Sequence, residues 1–300
     1  MSRSFLSLSS LSREEFSALL DRAIEGKKNP GTWGAPLAGK SVALFFEKPS
    51  TRTRVSFEVG VYQLGGQPIV LTQNDLQLSR GEDVADTARV LRRYVHAIMA
   101  RVKSHSTLEA LASFSGIPVI NGLSDKFHPC QALADYMTLR ENNVPAGSRF
   151  VFCGDGSSNM VHSLIIGSAH YGCEIVVATP AQLLPDPGVL TIAARLGAKV
   201  SITQDARAAA RDADVLYTDV WVSMGQEKEA ELKKKLLGPY QLNEELLSLA
   251  SKNAIVLHCL PAHKGEEITE GAFESANSKI FDQAENRLHA QKAVMEFLLK

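Results

Sequence analysis

Short apolar, β-branched runs alternate with helix-patterned segments along the whole chain, and this constrains its fold more than any other feature. In the first half the strand-like runs are SVALFFE (41–47), PIVLT (68–72), AIMARV (97–102) and PVIN (118–121). Helical spacing fills the stretch after Pro49 and residues 83–95, 106–115 and 128–142. The second half repeats the plan, with strand-like runs at 149–155, 174–180, 199–205, 215–220 and 254–262 and helical patterns such as 158–172 and 188–197. Repeated βα units predict parallel sheets covered on both faces by helices. With 300 residues, enough for two domains of about 150 each, the expected class is α/β: two doubly wound parallel-sheet domains with the active site in the cleft between them. The polar stretch ENNVPAGS (141–148) is the expected seam. It divides the chain into residues 1–143, residues 144–284 and a C-terminal helix, 285–300, expected to return to the first domain.

A net charge of −1 gives no electrostatic case for nucleic acid or an acidic membrane as partner, so any bound anion must be met by a local cluster. No apolar run approaches the ~20 residues of a membrane span. The four cysteines, Cys130, Cys153, Cys173 and Cys259, contain no C-x-x-C spacing and make no disulfide scaffold. A reduced cytosol is the simplest compartment, and the N-terminus has neither a signal nor a transit pattern. Ser12 with Glu15 instead reads as a capping box opening a helix.

In open α/β sheets ligands bind beyond the carboxyl ends of strands, and the residues there carry the chemistry. The run STRTR (50–54) follows the first strand directly. Ser50 is a natural N-cap for a helix whose apolar positions are read as Val55, Val59 and Tyr62, leaving the amides of Thr51, Arg52 and Thr53 without intrahelical acceptors. Arginines at the positive end of a helix, with no acidic residue in the first turn, are electrostatically misplaced unless an anion completes the site. The competing reading is a surface turn with solvated arginines. Arg101 ends a buried strand with a charge. In HPCQALAD (128–135), Pro129 suits the first helical position, which puts His128 at the helix entrance and Gln131 in the first turn. A histidine there tends to stay neutral and can donate to a carbonyl, or it simply caps or packs.

Gly154-Asp155-Gly156 imitates a dinucleotide fingerprint, but the third small residue is Asn159, so a turn presenting Asn159 to a carboxylate fits better. Asp219, at the end of a strand, can hold an ammonium group or cap a following helix, with Ser223 and Met224 just beyond. Cys259 ends an apolar strand and reads as inert or as reactive, and adjacent His258 and Cys259 lack zinc spacing. Arg287 sits at the apparent start of the last helix, a second cation at an unfavourable end.

Taken in order, STRTR with SFE, QLSRGE, HPCQALAD, DVWVSMGQE, HCLP and AENRLHAQKAVM closely resemble the ornithine carbamoyltransferases of the anabolic, prokaryotic kind within the aspartate/ornithine carbamoyltransferase family. HCLP and DVWVSMG favour ornithine over aspartate as acceptor. The resemblance implies that Ser50, Thr51, Arg52 and Thr53 bind the phosphate of carbamoyl phosphate. It further implies that Arg101, His128 and Gln131 hold the carbamoyl end and that Arg287 completes the phosphate cage. Gln77 would reach in from a neighbouring subunit of a homotrimer. Asn159, Asp219, Ser223 and Met224 would bind L-ornithine, and Cys259 and Leu260 would line the reacting centre. Arg101, His128 and Cys259 are the catalytic candidates, with Cys259 orienting the amine; no metal or organic cofactor is expected. One departure is Ser158, where the family usually shows asparagine, which would alter ornithine affinity modestly. Alternative readings are a transcarbamylase for another amine, a dinucleotide-dependent oxidoreductase and a non-catalytic relative.

Overall fold

The computed structural model describes residues 2–75, 81–222 and 230–300. The chain forms two compact units, Met1–Met137 with Asn286–Lys300, and Thr138–Glu285. Both divisions fall inside helices, where no change of composition marks them; the polar stretch 141–148 is the connection that follows one of these helices.

The first unit carries β1 (Ser41–Phe46), β2 (Gln67–Thr72), β3 (Ala97–Arg101) and β4 (Val119–Leu123), parallel and in the order β2-β1-β3-β4. Its helices are α1 (Arg13–Lys28), α2 (Thr51–Gln63), α3 (Val84–Leu91), α4 (His105–Ser115) and the start of α5 (Pro129–Glu141). The central strands β1 and β3 are buried almost throughout, as continuous apolar runs between two helical layers must be. Edge strand β2 is half exposed. The expected capping box is present: Ser12 accepts from the amide of Glu15, and the Glu15 carboxylate accepts from the amide of Ser12.

The second unit carries β5 (Arg149–Cys153), β6 (Glu174–Ala178), β7 (Lys199–Thr203), β8 (Val215–Thr218) and β9 (Ile255–His258), parallel and in the order β7-β6-β5-β8-β9. Helices α6 (Asn159–Tyr171), α7 (Pro187–Arg195), α8 (Ala206–Ala210), α9 (Ala230–Leu237), α10 (Glu244–Leu249) and α11 (Glu270–Phe273) lie between its strands or follow them. The last helix, α12 (Ile280–Leu299), ends the chain. Every strand-like run of the sequence became a strand. The short helices α9 to α11, of eight, six and four residues, had no legible period.

Each sheet reverses its strand order once. In the first unit this happens between β1 and β3, and in the second between β5 and β8. Connections leave opposite faces at such a switch point, opening a crevice beyond the strand ends where ligands bind. Topology therefore directs attention to the residues after β1, β3, β5 and β8.

The apolar stripe expected on α2 is the wrong one. Val55 and Tyr62 are 51% and 76% exposed, while Thr53, Phe57, Gly60 and Val61 face the core. Both stripes satisfy helical spacing, and only packing distinguishes them. Gly60 meets α12: a Cβ there would lie 3.1 Å from the Met295 methyl and 3.4 Å from Lys292 Cγ. The glycine thus allows α2 and α12 to approach closely.

Candidate active site

In the first unit the residues beyond β1 and β3 converge. The Ser50 hydroxyl caps α2 by accepting from the amide of Thr53. Of the three amides expected to be free, Thr53 is therefore satisfied. Thr51 and Arg52 remain at the exposed helix start. Arg54 pairs with Glu58 one turn on, at 3.3 Å, so only Arg52 of the two arginines keeps the uncompensated position that called for an anion.

Behind this turn lies a buried polar cluster. Thr53, Arg101, His128, Gln131 and Arg287 are all no more than 7% exposed. Arg287 Nη1 donates to Gln131 Oε1 at 2.6 Å, and Nη2 donates to Thr53 Oγ1 at 3.3 Å. Gln131 Nε2 donates in turn to Asp135 Oδ1 at 2.8 Å. With the amide oxygen of Gln291 turned toward the guanidinium, it accepts from Arg287 Nη2 and Nε at 2.9 and 3.1 Å. Gln291 and Asp135 were not foreseen; each lies four residues, one helical turn, beyond a predicted site residue, and that spacing was the available signal. Arg287 itself is two turns inside α12, which begins at Ile280. It is not a cation misplaced at a helix start, as the sequence implied, but one held by side-chain oxygens.

His128 immediately precedes α5, whose first residue is Pro129. Burial, then the nearby Arg287 and Arg101 guanidiniums, push its imidazole well below the usual histidine range. The neutral ring expected from the helix terminus therefore has desolvation as its main cause. The unfolded chain takes up a proton here near pH ~6.5, whereas the folded chain resists it, so stability falls as pH drops below that value, by at most about 1.4 kcal/mol per pH unit. Thermal melts taken between about pH 7 and about pH 5 should show this slope, and His128→Asn should flatten it. An unchanged slope in the variant would assign the titration to another group.

In the second unit, Gly154, Asp155 and Gly156 turn the chain from β5 into α6, with Asn159 the first helical residue and Ser158 its N-cap. The amide of Gly156 donates to Thr179 Oγ1 at 3.0 Å, the amide of Ser157 to Asp155 Oδ1 at 2.9 Å, and the amide of Ser158 to the Asp155 carbonyl. These are the amides that a dinucleotide pyrophosphate would need, and they are already used. A Cβ on Gly156 would lie 2.6 Å from the Leu183 carbonyl, so the glycine serves close packing.

Beyond β8 and β9, the Cys259 thiol donates to Asp219 Oδ1 at 2.9 Å, and the amide of Val220 donates to the same oxygen at 2.7 Å. Asp219 is 9% exposed, and burial raises its carboxyl above the ordinary range. It caps no helix, because residues 220–222 are non-helical. Cys130, Cys153 and Cys173 are buried and Cys259 is the one partly exposed thiol; burial pushes Cys130 and Cys153 up to about 12. The amide of Leu260, a residue with φ of 56°, donates to His258 Nδ1 at 2.9 Å. This leaves Nε2 to carry the ring proton toward Glu267 Oε1, 3.0 Å away. Glu267 Oε1 also accepts from the amide of His263. Adjacent His258 and Cys259 thus shape a turn. Among the described residues, His263, Glu266 and Glu267 place potential metal-ligating atoms within 4.8 Å of one another, but Glu266 is bonded to Lys234 and Glu267 to His258. Gln77, Ser223 and Met224 lie outside the described residues.

Residues 3–141 match the carbamoyl-phosphate-binding domain, and residues 146–298 the aspartate/ornithine-binding domain, of the aspartate/ornithine carbamoyltransferases. The chain belongs to the aspartate/ornithine carbamoyltransferase family. Within that family it is 52% identical to an ornithine carbamoyltransferase of Thermococcus kodakarensis, over 99% of this chain and 96% of the relative. The solved ornithine carbamoyltransferase of Pyrococcus furiosus superposes with a TM-score of 0.94 at 48% identity, covering 99% of this chain and 97% of that one. The anabolic enzyme of Campylobacter jejuni gives 0.94 at 44% identity, with coverage of 99% and 98%. The buried cluster around Arg287 lies within the parts matched to this family's two domains. Among the described residues, no helix is long and apolar enough to cross a membrane.

Proposed function

We propose that the chain transfers the carbamoyl group of carbamoyl phosphate to the δ-amine of L-ornithine, giving L-citrulline and phosphate, as a step in arginine biosynthesis. Carbamoyl phosphate is assigned to the first unit. Ser50, Thr51, Arg52, Thr53 and Arg287 take the phosphate there, and Arg101, His128 and Gln131 take the carbamoyl group, with Gln77 supplied by a neighbouring copy. L-ornithine is assigned to the second unit, at Asn159, Asp219, Ser223 and Met224, with Cys259 and Leu260 at the reacting centre. In domain terms, residues 1–143 with 285–300 serve the donor and residues 144–284 the acceptor.

The observation that supports this reading most is the buried Arg287–Thr53–Gln131 cluster. Its guanidinium already sits on hydroxyl and amide oxygens at the end of a parallel sheet, and a dianion arriving at the start of α2 would meet Arg52, two open amides and that guanidinium. The chemistry asks little else of the protein. The amine lone pair forms the C–N bond, negative charge gathers on the carbamoyl oxygen, and the C–O bond to phosphate breaks as the nitrogen sheds a proton. Arg101, Thr53 and neutral His128 donate to the developing oxyanion, a role that needs donors fixed in advance. An alkyl ammonium titrates near ~10.4, so the site must favour the free amine, and desolvation beside arginines does so. Cys259, bonded to Asp219, orients the amine. The activation comes with the donor, and the proposed steps call on no metal or organic cofactor.

The chain is further proposed to act as a cytoplasmic homotrimer. Val55 and Tyr62, two turns apart on one face of α2, are exposed, as residues covered by a second copy would be in the isolated chain. One experiment addresses both statements: light scattering of the purified chain, then carbamoyl transfer from carbamoyl phosphate to ornithine, aspartate, putrescine and acetylornithine in parallel. Citrulline formation alone, by a species of three chain masses, is the expected result. Preference for another amine would move the assignment to a different transcarbamylase.

A further inference from the structure

Lys233 and Asp155 form an ion pair withdrawn from water. Lys233 Nζ lies 2.6 Å from Asp155 Oδ2, and the side chains are 6% and 8% exposed. The neighbouring lysines on α9 behave differently: Lys234 is partly exposed, Lys235 is exposed, and Lys234 pairs with Glu266 near the surface. Lys233 shares the inner face of α9 with buried Leu237, where an apolar side chain would pack without the desolvation of two charges. Replacing such a buried pair by apolar residues is commonly neutral or stabilising, so stability alone gives weak reason for its presence.

Asp155 has a specific position. Its Oδ1 accepts from the amide and hydroxyl of Ser157 at 2.9 and 2.6 Å, and its carbonyl accepts from the amide of Ser158. Ser158 caps α6 and places Asn159 at the first helical position. The Asp155 carboxylate thus braces the middle of the turn that leads into Asn159, beside the bond from Gly156 to Thr179, and Lys233 is the counter-charge on its other oxygen.

We infer that Lys233 is a positioning residue for the amino-acid substrate: by fixing Asp155 it fixes the turn at residues 154–158 and, through it, Asn159. The inference rests on the proposed function, which puts Asn159 on the ornithine carboxylate. It gives specificity for an α-amino acid end to a residue that touches no substrate.

The test uses the full chain with Lys233→Met, Lys233→Arg, Asp155→Asn and the double variant Lys233→Met/Asp155→Asn. Melting temperature, carbamoyl phosphate affinity by calorimetry, kcat and the ornithine KM are measured for each. Lys233→Met should raise the ornithine KM on the order of tenfold to a hundredfold, as a small misplacement of a binding group does, with carbamoyl phosphate affinity unchanged. Lys233→Arg should restore most of the loss. The double variant strands no charge, so it should melt above Lys233→Met while keeping an ornithine KM several-fold above wild type. Should Lys233→Met fail to fold, the double variant carries the comparison. A folded variant with lowered melting temperature and wild-type ornithine KM would overturn the inference, leaving a structural ion pair only. A wild-type chain that forms no citrulline would indict the proposed function, whereas an active wild type with unmoved variants indicts this inference alone.

Discussion

Replacing Arg287 by leucine is expected to weaken carbamoyl phosphate binding by roughly a hundredfold to a thousandfold while leaving the chain folded. The guanidinium is 4% exposed and donates to Gln131 and Thr53. In the proposed site it also faces the phosphate. Truncating one partner of a buried, hydrogen-bonded charge pair typically costs about 2–5 kcal/mol of binding. Leucine retains much of the buried volume, and its partners keep other bonds, such as that from Gln131 to Asp135, so stability should change by far less than binding. Calorimetric titration with carbamoyl phosphate and a thermal melt separate the two effects. Unchanged affinity would remove Arg287 from the phosphate site, and a collapse of the melt would make it a structural residue.

The second large effect is expected at Asp219, and it has two opposite parts. Asp219→Asn should raise the ornithine KM by about thirtyfold or more, because a buried charge pair with the substrate ammonium is lost, at about 2–5 kcal/mol. Carbamoyl phosphate affinity should not move. The same substitution should raise the melting temperature near neutral pH. Burial pushes the Asp219 carboxyl upward, which means the carboxylate is less favourable in the folded chain than in the unfolded one. A neutral isostere relieves that penalty, as with other sites that trade stability for function. A variant that melts lower and keeps its ornithine KM would contradict the assignment of the ammonium to this carboxylate.

The predictions at His128 and Lys233 differ in kind. The first concerns the proton balance of folding, the second the aim of a side chain two steps removed.

By itself the sequence determined the strands, because an apolar β-branched run between glycine and proline punctuation has few alternatives, and all nine formed where they were expected. It also determined the N-cap at Ser50 and the helix entrance at Pro129, since both depend on residues within one turn. The order of motifs was enough to place the chain in its family. Tertiary structure decided which face of α2 is buried, because two apolar stripes shared the same spacing and only packing, as at Gly60 against α12, distinguished them. It decided that Arg287 is an interior residue of a helix beginning at Ile280, held by oxygens from α2, α5 and its own helix. And it decided the pairing of Lys233 with Asp155, 78 residues apart. A local pattern records the preferences of neighbouring residues; a buried charge finds its partner only when the sheet has brought distant segments together and excluded water from around them.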